Sequence, residues 1–209
     1  MAVATNKYKP LENCKILLAS HSPRRRELLA QLDVEVEILP LAKVSEDYPA
    51  KMAPEEVAAF LSRKKAHPYM AELQDGDVLL TADTVVINRR EVLGKPADAQ
   101  EAAQMLRLLA GHTHKVVTGV TLATNKRIVT FSETTEVDFA PLSHEEIDYY
   151  VAKYSPLDKA GAYGIQEWIG CIGIEGIRGD FYNVMGLPLH SLYNHLVTIA
   201  NGLRKIEKK

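Results

Sequence analysis

The sequence predicts an α/β fold, and three observations carry that prediction. A short apolar run, "CKILLAS", leads straight into a helix start at Ser22-Pro23. The stretch from Val78 to Ile87 is apolar and β-branched over the length of a strand. Two further strand-like runs flank a polar turn at Asn125-Lys126, and segments with helix-start signals alternate with all of these.

Taken in order, Ser22 is a helix N-cap with proline at the first helical position, and Leu28, Leu29 and Leu32 recur at helical spacing to an end near Asp33. "VEVEIL", from Val34, alternates apolar residues with glutamate, the period of a strand with one wet face. After the loop "SEDYP", Pro54 to about Ala66 reads as a helix with Val57, Ala58, Phe60 and Leu61 inward, ended or kinked by His67-Pro68. The Val78–Ile87 strand is followed by a turn at Asn88 to Arg90, a short strand and the loop "GKP" at Gly94 to Pro96. Asp98 with Glu101 starts a helix through Met105, Leu106 and Leu109, which Gly111 stops. "HKVVTGVTLAT" and "RIVTFSETTEVDFA" pair as a hairpin, and Ser143 with Glu146 begins a helix to about Tyr154. The last third holds "SPLDKAGAYGIQ", a glycine-broken strand pair around Arg178-Gly179-Asp180, and an amphipathic helix from about Leu187.

The chain has 209 residues, 46% hydrophobic and 25% charged, enough to bury a sizeable core as one domain over 1–209. Net charge is -2 and the pI about 6.4, so no global field favours a nucleic acid polymer or an anionic membrane. An anionic partner must be held by a local cluster. Cys14 and Cys171 form no CxxC or Cys/His spacing, which points to neither a disulfide framework nor zinc. The polar N-terminus and the lack of a bilayer-length apolar stretch make the cytoplasm the expected compartment.

Chemistry concentrates first at "LLASHSPRRRELL". Arginines on a first helical turn oppose the helix dipole unless something negative binds there, where free amides, the dipole and guanidinium forks converge on phosphate oxygens. Ser20 and Ser22 add hydroxyl donors; the plain alternative is a solvated face. Asp83 interrupts the apolar strand. It is either a strand-end acid turned to water or a carboxylate on a rigid element that binds a divalent ion or accepts a proton. Glu46, in the polar loop, offers a second oxygen ligand, and Mg2+ needs only one or two carboxylates beside water and substrate phosphates. Lys65, Lys95 and Lys159 recur at turns and helix ends, Lys95 in the tight "GKP" loop. Gln166 carries both donor and acceptor for a base edge. His112 and His114 lack a neighbouring cluster and read as surface or structural, and Trp168 reads as core cover. No GxxxxGK[ST] or GxGxxG sequence occurs.

"LLASHSPRRRELL", "SEDYP", "RKKA", "TADTVV", "GKP", "LDKAGAYGIQ" and "GLP" stand in the order found in the Maf family, which this chain resembles from about Ile16 to its last helix. The resemblance implies an elongated α/β mixed-sheet fold similar to the inosine triphosphate pyrophosphatases, with two lobes around a cleft, often as a homodimer. It implies hydrolysis of a nucleoside triphosphate to monophosphate and pyrophosphate with a divalent cation, Mg2+ or Mn2+. Asp83 matches the family's proton acceptor and Glu46 an acidic site residue. Ser20, Arg25, Lys65, Lys95 and Lys159 match polar groups around the nucleotide, and Ser22 belongs to the same motif. Arg24, Thr84 and Gln166 match the positions that mark the dTTP and UTP branch. Where the family often has an aspartate before the loop glutamate, this chain has Ser45. A purine (inosine or xanthosine) triphosphate pyrophosphatase and a non-catalytic, septum-associated nucleotide-binding protein are the alternatives.

Overall fold

Apolar β-branched runs form the strands of one mixed sheet, and capped amphipathic segments form the helices that cover it. The computed structural model of the chain describes residue 11 and residues 15–207; Cys14 lies outside them. In chain order the elements are β1 (Lys15–Leu18), α1 (Pro23–Ala30), β2 (Val36–Ile38), α2 (Pro54–Ala66), β3 (Asp77–Asn88), β4 (Glu91–Leu93) and α3 (Ala99–Leu109). There follow β5 (Thr113–Ala123), β6 (Ile128–Phe139), α4 (His144–Tyr154), α5 (Trp168–Gly173), β7 (Ile174–Arg178), α6 (Phe181–Met185) and α7 (Leu189–Glu207).

Among the described residues the sheet has seven strands in the order β2-β1-β3-β5-β6-β7, with β4 paired to β3. β1 is parallel to both β2 and β3, pairings whose long connections are supplied by α1 and α2. The pairs from β3 through β5 and β6 to β7 are antiparallel, including the expected β5–β6 hairpin.

Alternation along β3 sends successive side chains to two differently covered faces. On one face Leu80 and Ala82 join a core with Leu28, Leu29, Leu192 and Leu196, while Val86 joins a second core with Leu106, Ile147 and Tyr150. Thr84 stands between these two cores. On the opposite face Val85 and Ile87 pack against Val57, Ala58 and Leu61 of α2, and Asp83 interrupts the apolar row. Asp83 and Thr84 are thus adjacent polar side chains on opposite faces of one strand.

The helix starts follow their local chemistry. Ser143 and Glu146 form a full capping box, and Asp98 accepts from the Glu101 amide at 2.8 Å. Ser22 is the N-cap of α1 with Pro23 following, as expected, although its hydroxyl makes no cap bond. α1 ends at Ala30, before a turn in which Asp33 has φ 51°. Phe60 departs from the expectation: it is 36% exposed, because Val57, Ala58 and Leu61 fill the stripe that faces the sheet and Phe60 lies beyond it. The expected strand pair around Arg178-Gly179-Asp180 is also corrected. β7 pairs with β6, but Asp180 then accepts from the Tyr182 amide at 2.8 Å and starts α6 instead of a second strand. Trp168 half-covers the second core and meets Tyr149 edge-on.

Candidate active site

The site is built around Asp83, whose side chain is 13% exposed. In register with it on β5 is Gly119. A Cβ at Gly119 would stand 2.3 Å from the backbone carbon of Ala58, so the missing side chain lets α2 lie directly on the sheet here. Two turns beyond Ala58, Lys65 reaches over the sheet and its ammonium bonds the Asp83 carboxylate. The same ammonium is 2.8 Å from Glu46 Oε1. Glu46 comes from the loop between β2 and α2, which Tyr69 pins: its hydroxyl accepts from the Ala42 amide at 2.7 Å and donates to the Pro40 carbonyl at 2.8 Å. The hydrogen bond from Lys65 holds the Glu46 carboxyl below its ordinary range.

The mouth of α1 lies on the other side of this group. Ser22 donates its amide to Ser20 Oγ at 3.2 Å. Arg25 turns inward. Its Nε donates to the Gly186 carbonyl at 2.9 Å, and its terminal nitrogens donate to the Ala82 carbonyl at 2.9 Å, to Thr84 Oγ1 at 3.1 Å and to Ser20 Oγ at 3.4 Å. Burial lowers the pKa of this guanidinium, and the Asp83 carboxylate opposes that shift. Arg25 therefore ties α1 to β3 and to the Gly186 turn, and fixes Thr84 Oγ1, which also lies 3.0 Å from Thr118 Oγ1. Arg24 turns outward to Asp158, with 2.6 Å between its terminal nitrogen and Oδ2.

Lys159 is buried, between Asp158 at 2.8 Å and Glu167 at 3.1 Å; Glu167 is in turn bonded by the Tyr150 hydroxyl. Lys95 is exposed and has no ion-pair or hydrogen-bond partner among the described residues. Its loop is held where the Gly161 amide donates to the Gly94 carbonyl at 3.0 Å.

These residues border two adjoining cavities. One, of about 570 Å³, is lined by Ser20, Ser22, Arg24, Arg25, Glu46, Lys65, Lys95 and Asp158. The other, of about 100 Å³, shares Ser22, Arg24, Arg25, Lys65, Lys95 and Asp158 and adds Asp83, Thr84, Lys159 and Gln166 against an apolar wall of Val86, Val116, Val184 and Met185. Every site residue named from the sequence borders one cavity or both. The structure adds Asp158, Glu167 and Tyr163, the last of which also lines the smaller cavity. Only Asp158 had a local signal, an acid adjoining Lys159 in "LDKAGAYGIQ".

Among the described residues no group of three His, Cys, Asp or Glu side chains is placed to hold a metal. Glu46 and Asp83 do converge, both bonded to one ammonium, so two carboxylates already focus on a single cationic point. That donor set fits Mg2+ or Mn2+, which complete their shells with water and phosphate oxygens. The cations Arg24, Arg25, Lys65, Lys95 and Lys159 set against the acids Glu46, Asp83, Asp158 and Glu167 leave one net positive charge, which suits an anionic ligand.

The family model described as Maf-like protein matches residues 15–199. A dTTP/UTP pyrophosphatase of Porphyromonas gingivalis is 54% identical over 188 residues, 89% of this chain and 94% of that protein. Another of Bacteroides thetaiotaomicron is 50% identical over 186 residues, 89% of this chain and 96% of that protein. Among solved structures, a dITP/XTP pyrophosphatase of Mycobacterium abscessus aligns with 90% of this chain and 97% of its own at 15% identity and TM-score 0.41. A HAM1 protein of Coxiella burnetii aligns with 88% of this chain and 99% of its own at 16% identity and TM-score 0.45. With a model matched over nearly its whole length and relatives identical at about half their positions, the chain belongs to the Maf family.

Proposed function

We propose that this chain hydrolyses pyrimidine nucleoside triphosphates, dTTP and UTP, to the monophosphate and pyrophosphate. The observation that carries the reading is the convergence of Asp83, Lys65 and Glu46 on one point of a cleft bordered by Arg24, Lys95 and Lys159. The names of relatives at 46% to 54% identity support the substrate class.

The triphosphate lies across the start of α1, where free amides and Ser22 face it and Arg24, Lys95 and Lys159 balance its charge. Asp83 accepts a proton from a water that attacks the α-phosphorus. The water oxygen bonds that phosphorus, the bond to the bridging oxygen breaks, and pyrophosphate departs with the electron pair. Cations fixed before the reaction stabilise the leaving charge without reorganising. Glu46 and Asp83 would hold a divalent cation, which when bound neutralises phosphate oxygens. Lys65, bonded to both acids, keeps them oriented.

Gln166, at the rim of the smaller cavity and without a partner among the described residues, offers donor and acceptor to the base edge. Thr84, fixed by Arg25 and Thr118, sets the wall beside it. A site built to bond one edge leaves polar groups unpaired with another base, and that produces selectivity. We take the working form as a homodimer, which the family resemblance implies.

The test is a panel of dTTP, UTP, CTP, ITP and XTP with Mg2+, with monophosphate and pyrophosphate measured together. Equal yields of both products, with dTTP and UTP preferred, are expected. Stoichiometric binding without pyrophosphate release, or preference for ITP or XTP, overturns the reading.

A further inference from the structure

Asp158 sits where the two cavities meet and, among the described residues, is the one acid at the mouth that bonds two of the cations assigned above to the phosphates. Its two carboxylate oxygens are divided between them: Oδ2 is 2.6 Å from Arg24 and Oδ1 is 2.8 Å from Lys159. Two oxygens on one atom, each taken by a separate cation, is also how a phosphoryl group bridges such a pair. The carboxylate is 55% exposed, whereas the ammonium it bonds is buried. Burial raises the pKa of this carboxyl, but the bonds to Lys159 and Arg24 outweigh it and hold the group below its ordinary range.

The second acid on Lys159 is different. Glu167 is 19% exposed and its other oxygen is taken by the Tyr150 hydroxyl, which itself accepts from the Gly164 amide at 3.1 Å. Glu167 is built into the wall and stays with Lys159. Asp158, on the turn after α4, is the exchangeable partner. Arg24 has a second tie to that turn, from its other terminal nitrogen to the Asp158 carbonyl at 3.4 Å, which does not depend on the carboxylate. A phosphate oxygen can therefore replace the carboxylate while Arg24 and Lys159 remain fully bonded.

We propose that Asp158 is a resident counter-ion: it holds Arg24 and Lys159 in the geometry of a bound phosphate, yields them to the incoming nucleotide, and reclaims them as pyrophosphate leaves. Asp158 is thus a positioning residue that sets how tightly product is retained. The proposal rests on the pyrophosphatase reading above.

The test is pyrophosphate binding to the full chain by isothermal titration calorimetry with Mg2+, alongside product inhibition of dTTP turnover. Asp158→Asn keeps the shape and an acceptor oxygen but removes the competing charge, and Asp158→Ala removes both. Each is expected to bind pyrophosphate roughly fivefold more tightly than the parent, the scale of losing an exposed ion pair, and to be more strongly inhibited by it. A merely structural role predicts weaker binding. Unchanged or weaker binding in both variants overturns the proposal. So does equal tightening by Asp47→Asn, an exposed acid on the neighbouring loop that pairs with neither cation. If the parent releases no pyrophosphate from any nucleotide, the pyrophosphatase reading fails instead. Parent turnover with unmoved pyrophosphate affinity in the variants sinks the counter-ion alone.

Discussion

The ammonium of Lys65 is bonded to the carboxylate of Asp83, joining the end of α2 to the middle of β3 at the floor of the cleft. These two residues are 18 apart in sequence, and Glu46 reaches the same ammonium from the preceding loop.

Replacing Asp83 by asparagine keeps the shape and removes the proton acceptor. The expected result is a fall in kcat of at least about a hundredfold with KM little changed, read by pyrophosphate release at saturating dTTP. Turnover within a few-fold of the parent would exclude Asp83 as the base.

Glu46→Gln retains the length of the side chain but takes one of two converging carboxylates away. The Mg2+ concentration for half-maximal turnover is expected to rise by about tenfold or more, and chelation should abolish the parent's activity. An unaltered Mg2+ titration would assign the ion to other groups.

Gly119→Ala tests the contact that seats α2. The new Cβ meets the Ala58 backbone at 2.3 Å, and backbone cannot turn aside as a side chain can. Urea unfolding should show a loss of about 2 kcal/mol or more. Turnover should drop as well, because displacing α2 carries Lys65 away from Asp83. A variant as stable as the parent would mean that the close approach is relieved at little cost.

His114 makes stability depend on pH. Its ring is buried beside Phe139 and Tyr163, with Nε2 2.7 Å from the Tyr163 hydroxyl and no partner for Nδ1 among the described residues. Burial pulls the imidazole down from 6.5 to about 4, against the opposing pull of Asp138. Between those values the unfolded chain binds a proton here that the folded chain does not, so stability falls as pH drops from 6.5 towards 4. The contribution is about 3 kcal/mol across that window. Denaturant titrations at pH 7, 5.5 and 4.5 should show a shallower decline in His114→Gln than in the parent; parallel declines would show that the ring is protonated in the fold.

Much of this molecule is written locally. Ser143 with Glu146, Ser22 with Pro23, and the turn at Asn125-Lys126 mark element ends through interactions between residues a few positions apart, so the sequence alone locates them. The chemical cast is local too: an acid in an apolar strand and arginines on a first helical turn stand out because each is unfavourable without a ligand or partner. What the sequence could not decide is which partner each finds. Arg24 and Arg25 are adjacent, yet one takes Asp158 at the mouth while the other ties together Ala82, Thr84 and Gly186. Phe60 lies in the same apolar segment as Leu61 but falls outside the buried stripe. Those outcomes depend on strand register, on the Gly119 opening that seats α2, and on desolvation shared among segments tens of residues apart. Local propensity determines where elements begin and end; packing across the sheet determines which charges meet.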